Sequence, residues 1–565
     1  MKVLKFLFFI LFLGQVSLAQ SKYPQDYFRN PLDIPLILSG TFGELRSNHF
    51  HSGMDIKTQQ VQGKKVYTAA KGYVSRIKIT HWGYGKALYV THPNGYTTVY
   101  GHLQKFAPKI EAYIKKRQYQ KESFTIEVFP AAKDLPVDTN EVIAYSGNSG
   151  GSGGPHLHFE IRDGNSRPMN PMLFGIDIKD TTKPIIEGVY VYPLDKNSYA
   201  NQSMAPSKLR LIPLQSGDYT TKRIEAFGTI GFGINTTDRQ DLGINRNGVF
   251  DIETYLNGIK NFELEFNRFS FGESKHINRL IDYKQYKENK TRIQKLFVQP
   301  NNPLTLYKTA ENNGIVTVQD SLSSIYKIKV SDFKGNDVWV TIPIIGNSHT
   351  TLKPVPETKT PYFVVRNESK TFKEGNVTVY IPSETFYDNI YLDFNVTGDT
   401  LKLHNPSVPI TKNITITYDI SNYKEQDKNR LFIAWQTGTW RKYTNYISTT
   451  KKGNKLIAKT KTLGTYFLAS DTKAPTIEPL NFNDGKWLSK YRYLKVKLDD
   501  DISGIKNYRA TVNGKWILME YDAKTGILTH DFNDKVVTDI KNNFKIIVTD
   551  NAGNSAKFEA TFFRK

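Results

Sequence analysis

Cysteine is absent from all 565 residues. That excludes disulfide scaffolds, Cys-ligated zinc fingers, iron–sulfur clusters, thiol nucleophiles and lipid attachment through cysteine. Any metal must be held by histidines and carboxylates. Acidic residues are scarce relative to basic ones: 54 Asp+Glu face 76 Lys+Arg, a formal charge of +22. The basic residues are spread along the chain in short clusters such as Lys115-Lys116-Arg117, with no long basic tail. Such a charge suits nucleic acid, an anionic membrane surface or an acidic wall polymer, and the simplest reading is a solvated basic surface. Long apolar runs are missing beyond the N-terminus, where no segment approaches the roughly 18 residues of a membrane span.

What is present begins with MKVLKFLFFILFLGQVSLA at residues 1–19. Lys2 and Lys5 precede an apolar run, and Ser17-Leu18-Ala19 offers small residues for cleavage before Gln20, which predicts a secretory signal. Its removal takes two lysines and no acid, leaving +20. Export disfavours nucleic acid as a partner. A secreted chain without cysteine does not depend on an oxidising compartment. The length suits three or four domains at roughly 100–200 residues each. Hydrophobic residues at 39% and charged residues at 23% describe a globular chain. Tyr and Phe, 33 each, tilt the expectation toward strands.

The sequence predicts a mainly β protein. Residues 31–178 are Gly-rich and hold seven of the eleven histidines. Alternating stretches such as Lys65-Val-Tyr-Thr-Ala are separated by turn pairs such as Asn94-Gly95, which reads as an antiparallel β domain. A Lys-rich helical stretch and a strand near Ser123–Phe129 fall within 105–140. After residue 180 an internal repeat appears. Asp180-Thr-Thr-Lys-Pro echoes Asp471-Thr-Lys-Ala-Pro, and Asp241-Leu-Gly-Ile echoes Asp501-Ile-Ser-Gly-Ile. Leu256-Asn-Gly258 echoes Val512-Asn-Gly514, and Asp332-Phe-Lys-Gly-Asn336 echoes Asp550-Asn-Ala-Gly-Asn554. The expected organisation is a signal at 1–19, a β domain at 20–179, a β-sandwich module at 180–346, a β-rich module at 347–471 and an immunoglobulin-like β-sandwich module at 472–565.

Three histidine segments stand out in the first domain. In His156-Leu-His158-Phe-Glu160-Ile, period-two alternation puts His156, His158 and Glu160 on one strand face and Leu157, Phe159 and Ile161 on the other. His51-Ser-Gly-Met-Asp55 adds an imidazole and a carboxylate, with Gly53 between them for a tight turn. Tyr100-Gly-His102-Leu adds a further imidazole. Zinc in hydrolases takes three protein ligands of these types and keeps a position for water. The Gly-rich run 150–154 lets backbone approach a ligand beside His156.

Taken together, residues 42–160 resemble the lysostaphin-type, LytM-like zinc metallopeptidases that cut peptidoglycan. The carrying motifs are His51-Ser-Gly-Met-Asp55, Tyr100-Gly-His102-Leu103 and Gly154-Pro-His156-Leu-His158, in that order. The resemblance implies one Zn²⁺ per chain on His51, Asp55 and His158, with His102 and His156 as non-ligand catalytic histidines. It implies a small antiparallel sheet with the metal in a groove, and peptidoglycan stem-peptide cross-links as substrate. The stretch Gly43–Asn48 lacks the tyrosine that well-known members carry before the first ligand. Glu160 is either a support for a ligand imidazole or half of a surface salt bridge. His49 and His81 read as structural or rim residues, and His92 as solvent-facing in a turn. Two other functions fit the sequence: a catalytically silent regulator of wall hydrolases, and a wall- or glycan-binding surface protein whose Trp435, Trp440, Trp487 and Trp516 stack on sugars. The expected location is the periplasm or the cell surface.

Overall fold

The computed structural model describes residues 23–348, 352, 358–438 and 441–565; the expected signal at 1–19 and Trp440 lie outside the described residues. Strands hold 45% of the chain and helices 8%, so the protein is mainly β, as its composition predicts. Among the described residues no helix is long and apolar enough to cross a membrane.

The first domain contains strands β1 (Leu38–Gly40), β2 (Met54–Lys57), β3 (Lys65–Tyr67), β4 (Gly72–Ile79), β5 (Lys86–Thr91), β6 (Thr97–Gly101) and β7 (Lys105–Phe106). Helix α1 (Pro108–Lys121) follows, then β8 (Ile126–Val128), β9 (Pro136–Val137), β10 (Val142–Tyr145) and β11 (His156–Arg162). The principal sheet runs β1-β2-β11-β6-β5-β4-β8. The pairings of β11 with β2 and β6 are antiparallel. Alternation explains the layering. Leu157, Phe159 and Ile161 of β11 enter the same apolar core as Met54 and Ile56 of β2 and Leu88 and Val90 of β5. The intervening residues of β11 are left for the opposite face. Helix α1 begins with Pro108 at its first turn, buries Ile110 and Ile114, and ends where Glu122 turns left-handed.

Three more large apolar clusters follow among the described residues. Residues 185–346 form one continuous 13-stranded sheet rather than two separate sheets. The cause is the 14-residue strand Ile224–Thr237. Its C-terminal half pairs with Ile185–Pro193, and its N-terminal end runs parallel to Asp337–Gly346. The last module has a four-stranded and a five-stranded sheet around its own core. The repeat predicted from the sequence is visible in backbone detail. Asn257-Gly258 and Asn513-Gly514 both turn hairpins with positive φ at both residues, 50° and 87° in the first, 49° and 78° in the second.

The modules pack against the first domain. Phe42 and Phe50, which flank the His51 loop, are buried in the core of the second module. Leu518 of the last module is buried in the core of the first domain, while its neighbours Ile517 and Met519 serve their own module's core. Trp516 packs edge-on against Tyr119 of α1, 5.2 Å between ring centroids. Trp487 is 56% exposed and stacks on Phe563.

Candidate metal centre

β11 and β2 bring the site together. His158 pairs in register with Asp55 on β2 and with Gly101 on β6. A Cβ on Gly101 would stand 3.3 Å from the Cβ of His158, so glycine leaves room for the imidazole. Gly53 is needed for a different reason than a turn: a Cβ there would lie 2.2 Å from the carbonyl oxygen of Phe159. Close approach of the loop to β11, not an unusual φ, fixes that glycine. His51 is held just before β2, where its N–H donates to Glu44 O at 2.9 Å and its own carbonyl accepts from Gly43 N at 2.9 Å.

Three side-chain atoms converge. His51 Nε2 lies 3.0 Å from Asp55 Oδ1, His158 Nδ1 lies 2.9 Å from the same oxygen, and the two nitrogens are 3.2 Å apart. The other ring nitrogens are already committed. His51 Nδ1 faces the Thr41 carbonyl at 2.7 Å and must donate to it. His158 Nε2 faces the Glu160 carboxylate at 2.8 Å and must donate to that. Two imidazole lone pairs and a carboxylate oxygen therefore point at one another, which is favourable only with a cation or protons among them. Tetrahedral zinc with ligands near 2.0 Å separates them by about 3.3 Å, so the triangle fits the metal. The fold brings His51, Asp55 and His158 together, the three residues that the resemblance implies as ligands.

Glu160 is fully buried and belongs to the site. Ser52 donates to its Oε1 at 2.7 Å, Tyr84 donates to the same oxygen, and Arg162 donates to Oε2. Tyr84 also stacks on His158, 4.9 Å between centroids. Burial opposes ionisation of Glu160, yet the Arg162 guanidinium and His158 hold it well below the usual carboxylate range. Burial alone would lower His158, but hydrogen bonds to Asp55 and Glu160 and their charges raise it to about 9. Burial likewise opposes the charge on Asp55, which the neighbouring His51, together with His156 and His158, keeps ionised. Arg46 donates to Asp55 Oδ2 at 3.1 Å, leaving Oδ1 to the histidines. Arg46, Ser52, Tyr84 and Arg162 were not singled out from the sequence. Each reaches the site across the fold, and only the alternation that places Arg162 beyond Glu160 on β11 gave any signal.

His102 and His156 lie beside the triangle, 4.7 Å between ring centroids. His102 Nδ1 donates to Ser149 O at 2.8 Å, and His156 Nδ1 donates to Gly154 O at 2.9 Å. Among the described residues His156 Nε2 is buried without a hydrogen-bond partner, 3.4 Å from Asp55 Oδ1. Burial, with His158 and His156 nearby, pushes His102 down to about 3. His102 is also held at φ 57°, a backbone conformation that costs a non-glycine residue energy and recurs at functional sites. Gly153 and Gly154 border open space. The Lys524 ammonium of the last module donates to the Ser152 carbonyl at 3.1 Å and to that of Asn148, bracing this glycine-rich loop.

The remaining histidines lie outside the triangle. His81 packs between Phe124 and Tyr521. His49 is lowered by burial and by His51. His92 is buried rather than solvent-facing: its ring nitrogens meet Lys71 O at 2.9 Å and Thr98 Oγ1 at 2.8 Å, because the turn folds back onto the sheet.

A His/Asp/His triangle backed by hydrogen-bonded carboxylate and carbonyl groups, with two further imidazoles alongside, is the donor set of a candidate metal centre. Residues 49–119 match the family model described as Peptidase family M23, and the chain carries an M23 peptidase domain in its N-terminal part. Residues 361–471 match the model described as Zu5-like domain. A DD-carboxypeptidase/endopeptidase of Neisseria meningitidis is 29% identical over 174 residues, 30% of this chain and 32% of that relative. An uncharacterized metalloprotease of Haemophilus influenzae is 33% identical over 122 residues, 22% of this chain and 20% of that relative. The match thus spans about a third or less of these curated relatives' length. Among solved structures, the catalytic domain of lysostaphin from Staphylococcus simulans aligns at 20% identity and TM-score 0.18, covering 24% of this chain and 87% of that one.

Proposed function

We propose that this protein is an exported zinc endopeptidase that hydrolyses peptide cross-links of peptidoglycan, in the periplasm or at the cell surface. The observation that carries the reading is the set of inward lone pairs on His51, Asp55 and His158, with both outward ring nitrogens already donating. These three residues would hold the metal. Zinc supplies Lewis acidity there and lowers the pKa of a bound water toward ~7. Arg46 fixes which oxygen of Asp55 faces inward, and Glu160 fixes the tautomer of His158. His102 and His156 share two jobs, taking the water's proton and hydrogen-bonding the oxyanion that develops on the substrate carbonyl. Their Nδ1–H groups are tied to backbone carbonyls, so the Nε2 atoms are the ones that act. The DD-carboxypeptidase/endopeptidase relative supports the substrate class, and the positive charge suits an anionic wall.

The test is mass spectrometry of purified cross-linked muropeptide dimers after incubation with the protein. Monomers released with uptake of one water, at a rate lost in His102→Ala and His156→Ala, are expected. Unchanged dimer with zinc-loaded wild type would overturn the enzymatic reading and leave the regulator.

A further inference from the structure

Asp180, Asp238 and Asp332 lie far from the histidines in sequence, yet one carboxylate oxygen from each falls within 4.8 Å of the others. Asp238 and Asp332 are 3% and 4% exposed. Among the described residues Asp238 Oδ1 is buried with no hydrogen-bond partner. Lysines close in sequence are engaged elsewhere: Lys183 approaches Asp218 at 4.0 Å, and Lys334 pairs with Asp177. Asp180 and Asp238 also line a cavity of about 20 Å³ between the peptidase domain and the second module. That is room for one water-sized body. Three clustered carboxylates whose neighbouring lysines are paired elsewhere are costly unless a cation or a proton sits among them.

We propose that Asp180, Asp238 and Asp332 bind one hard divalent cation, best matched by Ca²⁺, at the junction between the peptidase domain and the module after it. An all-oxygen donor set selects calcium over zinc. Calcium takes 6–8 oxygens in flexible geometry, so waters and carbonyls can complete the shell. The framework is prearranged. Asp332 accepts from the backbone N–H groups of Lys334 and Asn336 at 2.7 and 2.9 Å, and the Asn336 amide bridges Asp332 Oδ2 and the carbonyl of Asp180. The same framework recurs in the last module. Asp550 accepts from Asn554 N at 2.8 Å, and the Asn554 amide bridges Asp550 Oδ2 and the carbonyl of Asp471. Asp238 and Asp500 each follow the last residue of a strand, and in both one carboxylate oxygen is buried and unpartnered. Such duplicated placement is what a retained ligand position leaves behind. Burial, with the charges of Asp180 and Asp332, raises Asp238 to about 8.

The site adjoins the peptidase loop. Thr41, whose carbonyl accepts from His51, lines the same cavity, and its hydroxyl donates to the Gly248 carbonyl at 3.1 Å. The test is calorimetric titration of Ca²⁺ into the full mature chain with zinc already loaded, comparing wild type with Asp238→Asn and Asp180→Asn. Wild type is expected to bind one more calcium per chain than either variant. Calcium should raise its melting temperature by more than it raises theirs. Asp180 is only half-buried, so Asp180→Asn keeps the test readable if Asp238→Asn folds poorly. Equal calcium stoichiometry and affinity in all three proteins would overturn the site. So would no binding by wild type at about 10 mM, above the range of weak extracellular calcium modules.

Discussion

A carboxylate buried from solvent persists as an anion only where donors surround it, and Glu160 has four: Ser52, Tyr84, His158 and Arg162. Its hydrogen bond sets His158 with the Nδ1 lone pair inward. Glu160→Gln keeps the shape but replaces the acceptor charge, and zinc affinity should fall about 10–100-fold. Competition with a chelating dye measures this; unchanged affinity would mean that Glu160 serves packing alone. Strand alternation by itself placed only His156, His158 and Glu160 on one face, while the three candidate ligands and both flanking histidines were legible through the motifs that carry the family resemblance. Arg46, Ser52 and Tyr84 were not, because their contacts join segments whose approach depends on the whole sheet. His92 misled for the same reason: a Thr-His-Pro-Asn-Gly turn reads as exposed until the sheet beneath it is known.

At the scale of elements, β2 and β11 set the distance between Asp55 and His158. Gly53→Ala puts a methyl 2.2 Å from the Phe159 carbonyl, and something must shift. A loss of about 1–3 kcal/mol in urea unfolding is expected, as for overpacked sites. A change near zero would show that the loop yields freely. Strand ends carry a second prediction. Asp238, just after Ile224–Thr237, is raised to about 8 by burial and by Asp180 and Asp332. For an acid whose folded pKa is raised, the fold favours the protonated form. The stability it contributes is complete below the ordinary carboxylate range and is lost as pH rises to about 8. In a calcium chelator the melting temperature should therefore fall between pH 5.5 and 8.5 (about those limits) more steeply in wild type than in Asp238→Asn. Parallel curves would contradict it. Element types were legible where alternation is regular, as in β11 and the repeated Asn-Gly hairpins. The continuous sheet of 185–346 was not, because a single strand serving two sets of neighbours leaves no local mark.

At the scale of the whole molecule, the modules after residue 180 brace the segments that carry the site. Phe42 and Phe50 anchor the His51 loop in the second module, and Phe50 N donates to Ser274 Oγ at 2.8 Å. From the other side, the last module adds Lys86–Glu520 at 2.8 Å, Tyr119–Asp534 at 2.9 Å and the buried Leu518. Leu518→Ala should cost about 2–5 kcal/mol of cohesion between the last module and the peptidase domain. Differential scanning calorimetry reads it as a lower or split transition; an unchanged profile would make the last module an independent passenger. This docking had no signal in the sequence, since Leu518 looks like any core residue beside Ile517 and Met519.

The central claim is that one zinc ion on His51, Asp55 and His158 drives hydrolysis. It is tested most directly by titrating zinc into metal-stripped protein while following cleavage of a cross-linked muropeptide dimer. Activity should rise in proportion to added zinc, break at one equivalent per chain, and be absent throughout in His158→Ala. Full activity in the stripped protein, or an undiminished titration in His158→Ala, would contradict it.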